Sequence, residues 1–445
     1  MSERRQELDL TRDALARDRA HVWHPYTRFS TFAAQDLPMI TGADGIYLHA
    51  ADGRKYIDAI SSWWCVNLGH GRREIIDAIK RQAGELQHSI LGNLTHPRAI
   101  ELAEELAALM PTPDRHVLFA SDGSSAVEQA VKIAIQYRAN SGEIARQQIA
   151  CLDGAYHGDT LGAMALGYLE HFHKPYEKHL FPALRLPFPS CRCVKSGPGC
   201  AATCFAEAKK LLDEHAPSLT AVIVEPLLQG ASGMRIYGEA WLRSLAQWCR
   251  QNGVLLILDE IATGFGRTGT WFAFQRAGID PDIVCVGKGL SGGYLPISAT
   301  IVRNSIYETF ADKPHDHTLQ HGHTFCGNPI ACAAALAALQ IYRDGGIKSV
   351  PEKSLRLSNA LQTAKDHPLV RDVRSLGLMS AIELHPESIT EGQMPRPHRI
   401  RLRLQERGIL LRPLGPVIYV MPPLTINSEE IDLLAAELIA ALDTP

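Results

Sequence analysis

Lys288 is the residue of this 445-residue chain whose surroundings point most directly to chemistry. It follows four apolar residues, Ile283 to Val286, and stands between two glycines in IVCVGKGLSGG. Such a run reads as a strand buried on both faces, which puts the lysine at the strand's carboxyl end, where open α/β sheets gather their ligands. A second apolar run, LLIL, ends on Asp259 in LLILDEIATGFGRTG. A carboxylate there is costly to desolvate unless a cation faces it, either a salt-bridge partner or the protonated ring nitrogen of a cofactor. At about 4 Å and an effective dielectric near 20, the second pairing is worth roughly 4 kcal/mol, enough to hold the nitrogen protonated by about three pKa units. In FASDGSSAVEQAV, Gly123 and Ser124 lie where a strand hands over to a helix. Free N–H groups and the positive end of the helix dipole suit a phosphate there; a plain helix cap is the alternative. DGAYHGDT sets Tyr156 beyond another strand end, where an aromatic ring either fills core or lies on a ligand's face. Pyridoxal phosphate accounts for the lysine, the carboxylate and the phosphate site together. The lysine forms the Schiff base, the aspartate makes the ring an electron sink, and the helix end holds the phosphate. The glycines beside Lys288 are expected to let the ring approach the backbone.

The elements that must position these residues can be read from short apolar runs at 116–120, 148–152, 221–224, 254–258 and 283–286, each followed by helical periodicity. Alternation of this kind argues an α/β fold with a mostly parallel central sheet. Before it, GIYLHAADGRKYIDAI alternates and turns at Asp52-Gly53, as a hairpin does. After it, ERGILLRPLGPVIYVMPPLTIN holds two strand-like pieces, and residues 429–443 return to helix. The division expected is residues 66–335 as a large cofactor-binding domain, with 1–65 and 336–445 contributing a small α+β domain from both chain ends.

Composition narrows the partners. The 45 basic and 48 acidic residues leave a formal charge of −3, without the excess that draws a protein to nucleic acid. The charged N-terminal segment lacks a secretory core, and the apolar stretch LLAAELIAAL is short of the roughly 20 residues that span a bilayer, so a cytoplasmic protein without a membrane partner is expected. G-K-G at Lys288 lacks the Ser or Thr and the spaced glycine of a nucleotide phosphate loop. Of the ten cysteines, Cys191, Cys193, Cys200 and Cys204 cluster. Their spacing is not that of paired zinc knuckles, so no metal is expected and a metal-binding module is the remote alternative.

YHGDT, DEIATGFGRTG, the Lys288 strand and HTFCGNP, in this order along the chain, resemble the class III aminotransferases, and the resemblance runs over nearly its whole length. The resemblance implies pyridoxal-phosphate fold type I and homodimers with active sites at the subunit interface. HVWHPYT and SSWWCVNLGHG are similar to the adenosylmethionine-8-amino-7-oxononanoate aminotransferases of biotin synthesis, which convert 7-keto-8-aminopelargonate to 7,8-diaminopelargonate. Most of that family takes the amino group from S-adenosylmethionine and some members from lysine. Tyr26 with Trp63-Trp64 favours S-adenosylmethionine. Ornithine- and 4-aminobutyrate-type aminotransferases share the Lys and Asp motifs without these tryptophans.

Carried over by position, the resemblance implies that Lys288 is the catalytic residue joined to the cofactor and Asp259 the ring-nitrogen partner. Gly123 and Ser124 would contact the phosphate, and Tyr156 would stack on the ring and line the substrate site. Thr324 would reach the phosphate of the other subunit, beside His323, where the family usually has proline. Gly322 would line the substrate site. Tyr26, Trp63 and Trp64 would wall an apolar channel, and Arg412 would take the distal carboxylate. Arg267 and Asp159 are further candidates for polar contacts with the two substrates.

Overall fold

The computed structural model describes residues 13–29, 37–189, 198–310, 317–387 and 394–443, without the side chains of 198–203. Seven strands form the central sheet: β1 (Arg115–Ala120), β2 (Gln148–Leu152), β3 (Leu184–Leu186), β4 (Leu219–Val224), β5 (Leu255–Asp259), β6 (Ile283–Val286) and β7 (Ser298–Arg303). They lie in the order β1-β7-β6-β5-β4-β2-β3. Every residue of β4, β5 and β6 is buried, as unbroken apolar runs covered by helices on both faces must be. All neighbours are parallel except β7, which runs antiparallel between β6 and β1. The five runs read from sequence are all strands of this sheet; β3 and β7 are additions.

The register sets the chemistry. β5 and β6 pair in parallel with Asp259 opposite Cys285, so Asp259 and Lys288 leave the same sheet edge on neighbouring strands. Strand β1 ends at Ala120, and the helix α1 (Gly123–Asn140) starts three residues later at that edge. Apolar residues of α1, including Ala126, Ala130 and Ala134, are fully buried in the layer beside β5 and β6.

The hairpin is present as Tyr47–Ala50 antiparallel to Lys55–Asp58, with Gly53 at a φ of +86° in its turn. The two C-terminal strand pieces part company. Ile409–Leu410 pairs in parallel with Lys55–Asp58, which joins the two chain ends in one sheet, whereas Val417–Val420 joins Val370–Leu376 and Met379–Leu384 in another. Helix Ser428–Ala440 follows, opened by a capping box of Asn427 and Glu430. Among the described residues no helix is long and apolar enough to cross a membrane.

Candidate active site

Lys288 begins a tight 3-10 turn after β6, at a left-handed φ of +42°. Its Nζ lies 5.1 Å from the centre of the Trp64 ring. Burial pulls its ammonium below the ordinary lysine range, against the opposing pull of Asp259, Glu225, Cys65 and Asp159, so the free amine is easily neutral. At the adjoining Gly289, packing within the chain already requires glycine: a Cβ there would stand 2.4 Å from Asn67 Nδ2.

Asp259 is 5% exposed. Its Oδ2 lies 2.7 Å from Nδ1 of the buried His157, and its Oδ1 accepts the Ile261 N–H at 3.1 Å. Among the described residues its one ion-pair partner is that histidine; neither Lys nor Arg reaches it. A buried carboxylate so placed retains the capacity to face a cationic ring. At the head of α1, Asp122 caps Ser125 through bonds of 3.0 and 2.9 Å. No hydrogen bond within the described residues takes the backbone N–H of Gly123 or Ser124. Ile261 joins these parts: a Cβ on Gly123 would meet its side chain at 3.0 Å and one on Gly287 at 3.5 Å. Lysine, carboxylate and helix end thus converge on one crevice, and pyridoxal phosphate fits them.

Above the crevice, the Tyr26 hydroxyl donates to Asp159 Oδ2 at 2.5 Å, and the Asp159 N–H donates to Ser124 Oγ at 3.2 Å. Burial and the bond to Asp159 push the Tyr26 phenol up to about 12. Tyr156 is half-buried, its phenol also raised by burial and by hydrogen bonding with Tyr26. Tyr26 packs on Trp63 with ring centres 5.7 Å apart, and the Arg412 guanidinium lies 4.7 Å from the Trp63 ring and 5.3 Å from that of Tyr26. Arg412 also donates to the Tyr26 carbonyl at 2.8 Å. Trp63 is 43% exposed and Trp64 5%, so the paired tryptophans do different things. Trp64 turns inward under Lys288 and donates to the Tyr419 hydroxyl at 3.1 Å.

Their divergence comes from an unusual backbone: φ is +49° at Ser61, +45° at Ser62, +72° at Trp63 and +73° at Trp64. Left-handed conformations cost about 1–2 kcal/mol per L-residue. Propensity and periodicity give no hint of this turn.

Several sequence expectations end elsewhere. Arg267 is fully buried, donating to Asn67 Oδ1 at 3.0 Å, to Ser61 Oγ at 2.8 Å and to the Pro422 carbonyl, which corrects its candidacy as a substrate contact. Gly322 and Thr324 are exposed and His323 half-buried, in a loop that touches α1 through Lys132 with His321 and Gln136 with Thr318. Among the described residues no hydrogen bond or ring contact joins these three to Lys288. Cys191 and Cys193 lie outside the described residues, as does the side chain of Cys200. Among the described residues no group of three or more His, Cys, Asp or Glu could hold a metal.

Two residues went unassigned in the sequence. His157 stood in YHGDT beside Tyr156, and the signal that could have found it was the demand of Asp259 for a partner. Glu225, at the end of β4, accepts the Tyr156 N–H at 3.1 Å and the Gly230 N–H at 3.0 Å. Burial raises its carboxyl to about 7, with Asp259 adding to the rise and His157 opposing it.

A lysine and a carboxylate at the ends of adjacent parallel strands, facing a helix N-terminus, define a pyridoxal-phosphate enzyme of fold type I. The family model of class-III aminotransferases matches residues 31–442, and the chain belongs to that family. It is a pyridoxal-phosphate-dependent aminotransferase. The adenosylmethionine-8-amino-7-oxononanoate aminotransferase of Synechococcus elongatus is 41% identical over 431 residues, covering 95% of this chain and 98% of its own. The protein of that name from Nitratidesulfovibrio vulgaris is 40% identical over 94% of this chain and 79% of its own. Among solved structures, adenosylmethionine-8-amino-7-oxononanoate aminotransferase from Methanocaldococcus jannaschii superposes with a TM-score of 0.89 at 37% identity, covering 97% of this chain and 99% of that one. An (S)-enantioselective omega-transaminase from Thermomicrobium roseum has the same TM-score at 32% identity, covering 97% and 98%.

Proposed function

We propose that this aminotransferase moves an amino group onto 8-amino-7-oxononanoate (7-keto-8-aminopelargonate) to give 7,8-diaminopelargonate in biotin synthesis, with S-adenosylmethionine as donor. The observation that carries the reading is the wall of Tyr26, Trp63 and Arg412 at the mouth of the Lys288 crevice. A long alkyl chain binds by apolar area, and a guanidinium fork suits the carboxylate at its far end. Relatives of that printed name support the substrate. The fold alone would serve an ω-amino acid aminotransferase equally, as the omega-transaminase superposition illustrates.

Pyridoxal phosphate, when bound, supplies an electron sink for the carbon that loses its proton. Lys288 Nζ would hold the cofactor and, as a free amine, would carry the proton between the substrate's α-carbon and the cofactor side. Burial, which pulls its ammonium below the ordinary lysine range, favours the neutral amine that task needs. Asp259, oriented by His157, keeps a proton on the ring nitrogen. Gly123 and Ser124 hold the phosphate, and Tyr156 covers the ring and lines the substrate site. Arg412 fixes the substrate's reach into the crevice. The reading includes a homodimer in the cytoplasm, in which Gly322, His323 and Thr324 serve the crevice of the other subunit, and the division of the chain at about residues 65 and 335.

Complementation tests it. Expression should restore growth without biotin to a strain lacking this step, and Lys288→Ala should not. Failure of the wild type, with the purified protein active on ornithine or 4-aminobutyrate, would move the assignment to the ω-amino acid class. Half-reactions with S-adenosylmethionine and with lysine decide the donor.

A further inference from the structure

Residues Ser61–Trp64 form one turn of left-handed helix, closed by bonds of 2.8 Å from Trp64 N to Ile60 O and 3.0 Å from Cys65 N to Ser61 O. L-residues visit that region singly because Cβ meets the following carbonyl, and a run of four persists only where its surroundings over-determine it. Asp58 supplies the constraint at Ser62. Its Oδ1 accepts the Ser62 N–H at 2.9 Å, and its Oδ2 accepts the Ser62 hydroxyl at 2.7 Å and lies 2.9 Å from His70 Nε2. Asp58 is itself 1% exposed. Burial works to raise its carboxyl, and the bonds from His70 and Ser62 outweigh it and hold it below the ordinary range. Ser61 is pinned separately, donating to the Met421 carbonyl at 2.7 Å and accepting from Arg267. The winding has a geometric product: consecutive tryptophans face apart, Trp64 under Lys288 and Trp63 against Arg412.

We propose that Asp58, held by His70, is a positioning residue that keeps Ser61–Trp64 left-handed and through Trp63 sets how the site measures the length of its substrate's apolar chain. This rests on the reading of Trp63 and Arg412 as a channel wall. Asp58 acts through the turn, so its loss alters the wall while the reacting groups stay in place.

The test uses the cofactor-loaded enzyme with 8-amino-7-oxononanoate and analogues shortened by two and four methylenes. In the wild type, KM should fall with each added methylene. Asp58→Asn keeps the shape but turns one acceptor into a donor facing Ser62. It should flatten that slope by half or more, raise KM for the longest acceptor at least tenfold, and leave kcat within about threefold. Adding Ser62→Gly, which enters positive φ without strain, should recover a third or more of the lost slope. Indole near-ultraviolet circular dichroism should change in Asp58→Asn and return in part in the double variant. An unchanged slope, or KM shifts equal for all chain lengths, overturns the proposal. If the wild type takes none of these acceptors, the function assigned above fails, and the dichroism still decides: spectra of Asp58→Asn identical to wild type would overturn the positioning role.

Discussion

His157 Nδ1 lies 2.7 Å from Asp259 Oδ2, with both side chains buried. The contact fixes one carboxylate oxygen, and among the described residues no lysine or arginine pairs with Asp259 to neutralise it before a ring nitrogen could. His157 is therefore a positioning residue for the electron sink.

Replacing His157 with Phe removes a hydrogen bond to a charged, buried acceptor, a loss of about 1.5–3 kcal/mol. Cofactor affinity should weaken by roughly 10- to 100-fold. Titration of the apoenzyme followed by visible absorbance measures it, and an affinity within twofold of wild type would remove His157 from the site.

Arg412 combines a fork, two aromatic faces and the Tyr26 carbonyl. Lysine keeps the charge and loses the planar stacking, so Arg412→Lys should raise KM for the carboxylated acceptor by about tenfold or more with a smaller change in kcat. The S-adenosylmethionine half-reaction, measured alone, shows whether the same group serves the donor.

Glu225 gives a dependence on pH with a defined sign. Its carboxyl stands at about 7 in the fold, against 4.5 for the unperturbed group. Between those values the native state binds the extra proton, so the contribution of this group to stability is fully present below about 4.5 and is lost as pH rises through 7. The full fall is about 3 kcal/mol for one such group. Glu260, buried and also raised to about 7, adds a similar fall. Glu225→Gln mimics the protonated form and should roughly halve the loss of stability between pH 5 and 8. Urea melts across that range test it; an undiminished slope contradicts it.

Gly289→Ala should destabilise the protein by about 1–3 kcal/mol, because the new methyl overlaps Asn67. Asn67 is committed, donating to Phe265 O at 3.1 Å and accepting from Arg267. A thermal melt of the holoenzyme measures the loss.

The parts of the site that end apolar strands were legible in the sequence. An ionisable residue directly after such a run, as with Asp259 and Lys288, is placed by burial alone, and parallel pairing then sets both on one edge. Strand direction is not written into a run: Ser298–Arg303 enters the sheet antiparallel because a neighbour on each side accepts it that way. Trp63 and Trp64 looked like one wall in SSWW, and only a left-handed turn, held by residues distant in sequence such as Arg267 and Met421, separates them. Arg267 was a candidate substrate contact by the family resemblance alone, but its side chain is spent on Ser61, Asn67 and Pro422. Partners supplied from 155 to 206 residues away leave no local trace.

The central claim is that the ε-amine of Lys288 carries the cofactor. Borohydride reduction of the holoenzyme, followed by proteolysis and mass spectrometry, tests it directly. The account predicts one modified peptide, with pyridoxyl phosphate on Lys288 and activity lost in proportion. Modification at a different lysine, or full reduction of the chromophore with Lys288 untouched, would contradict it.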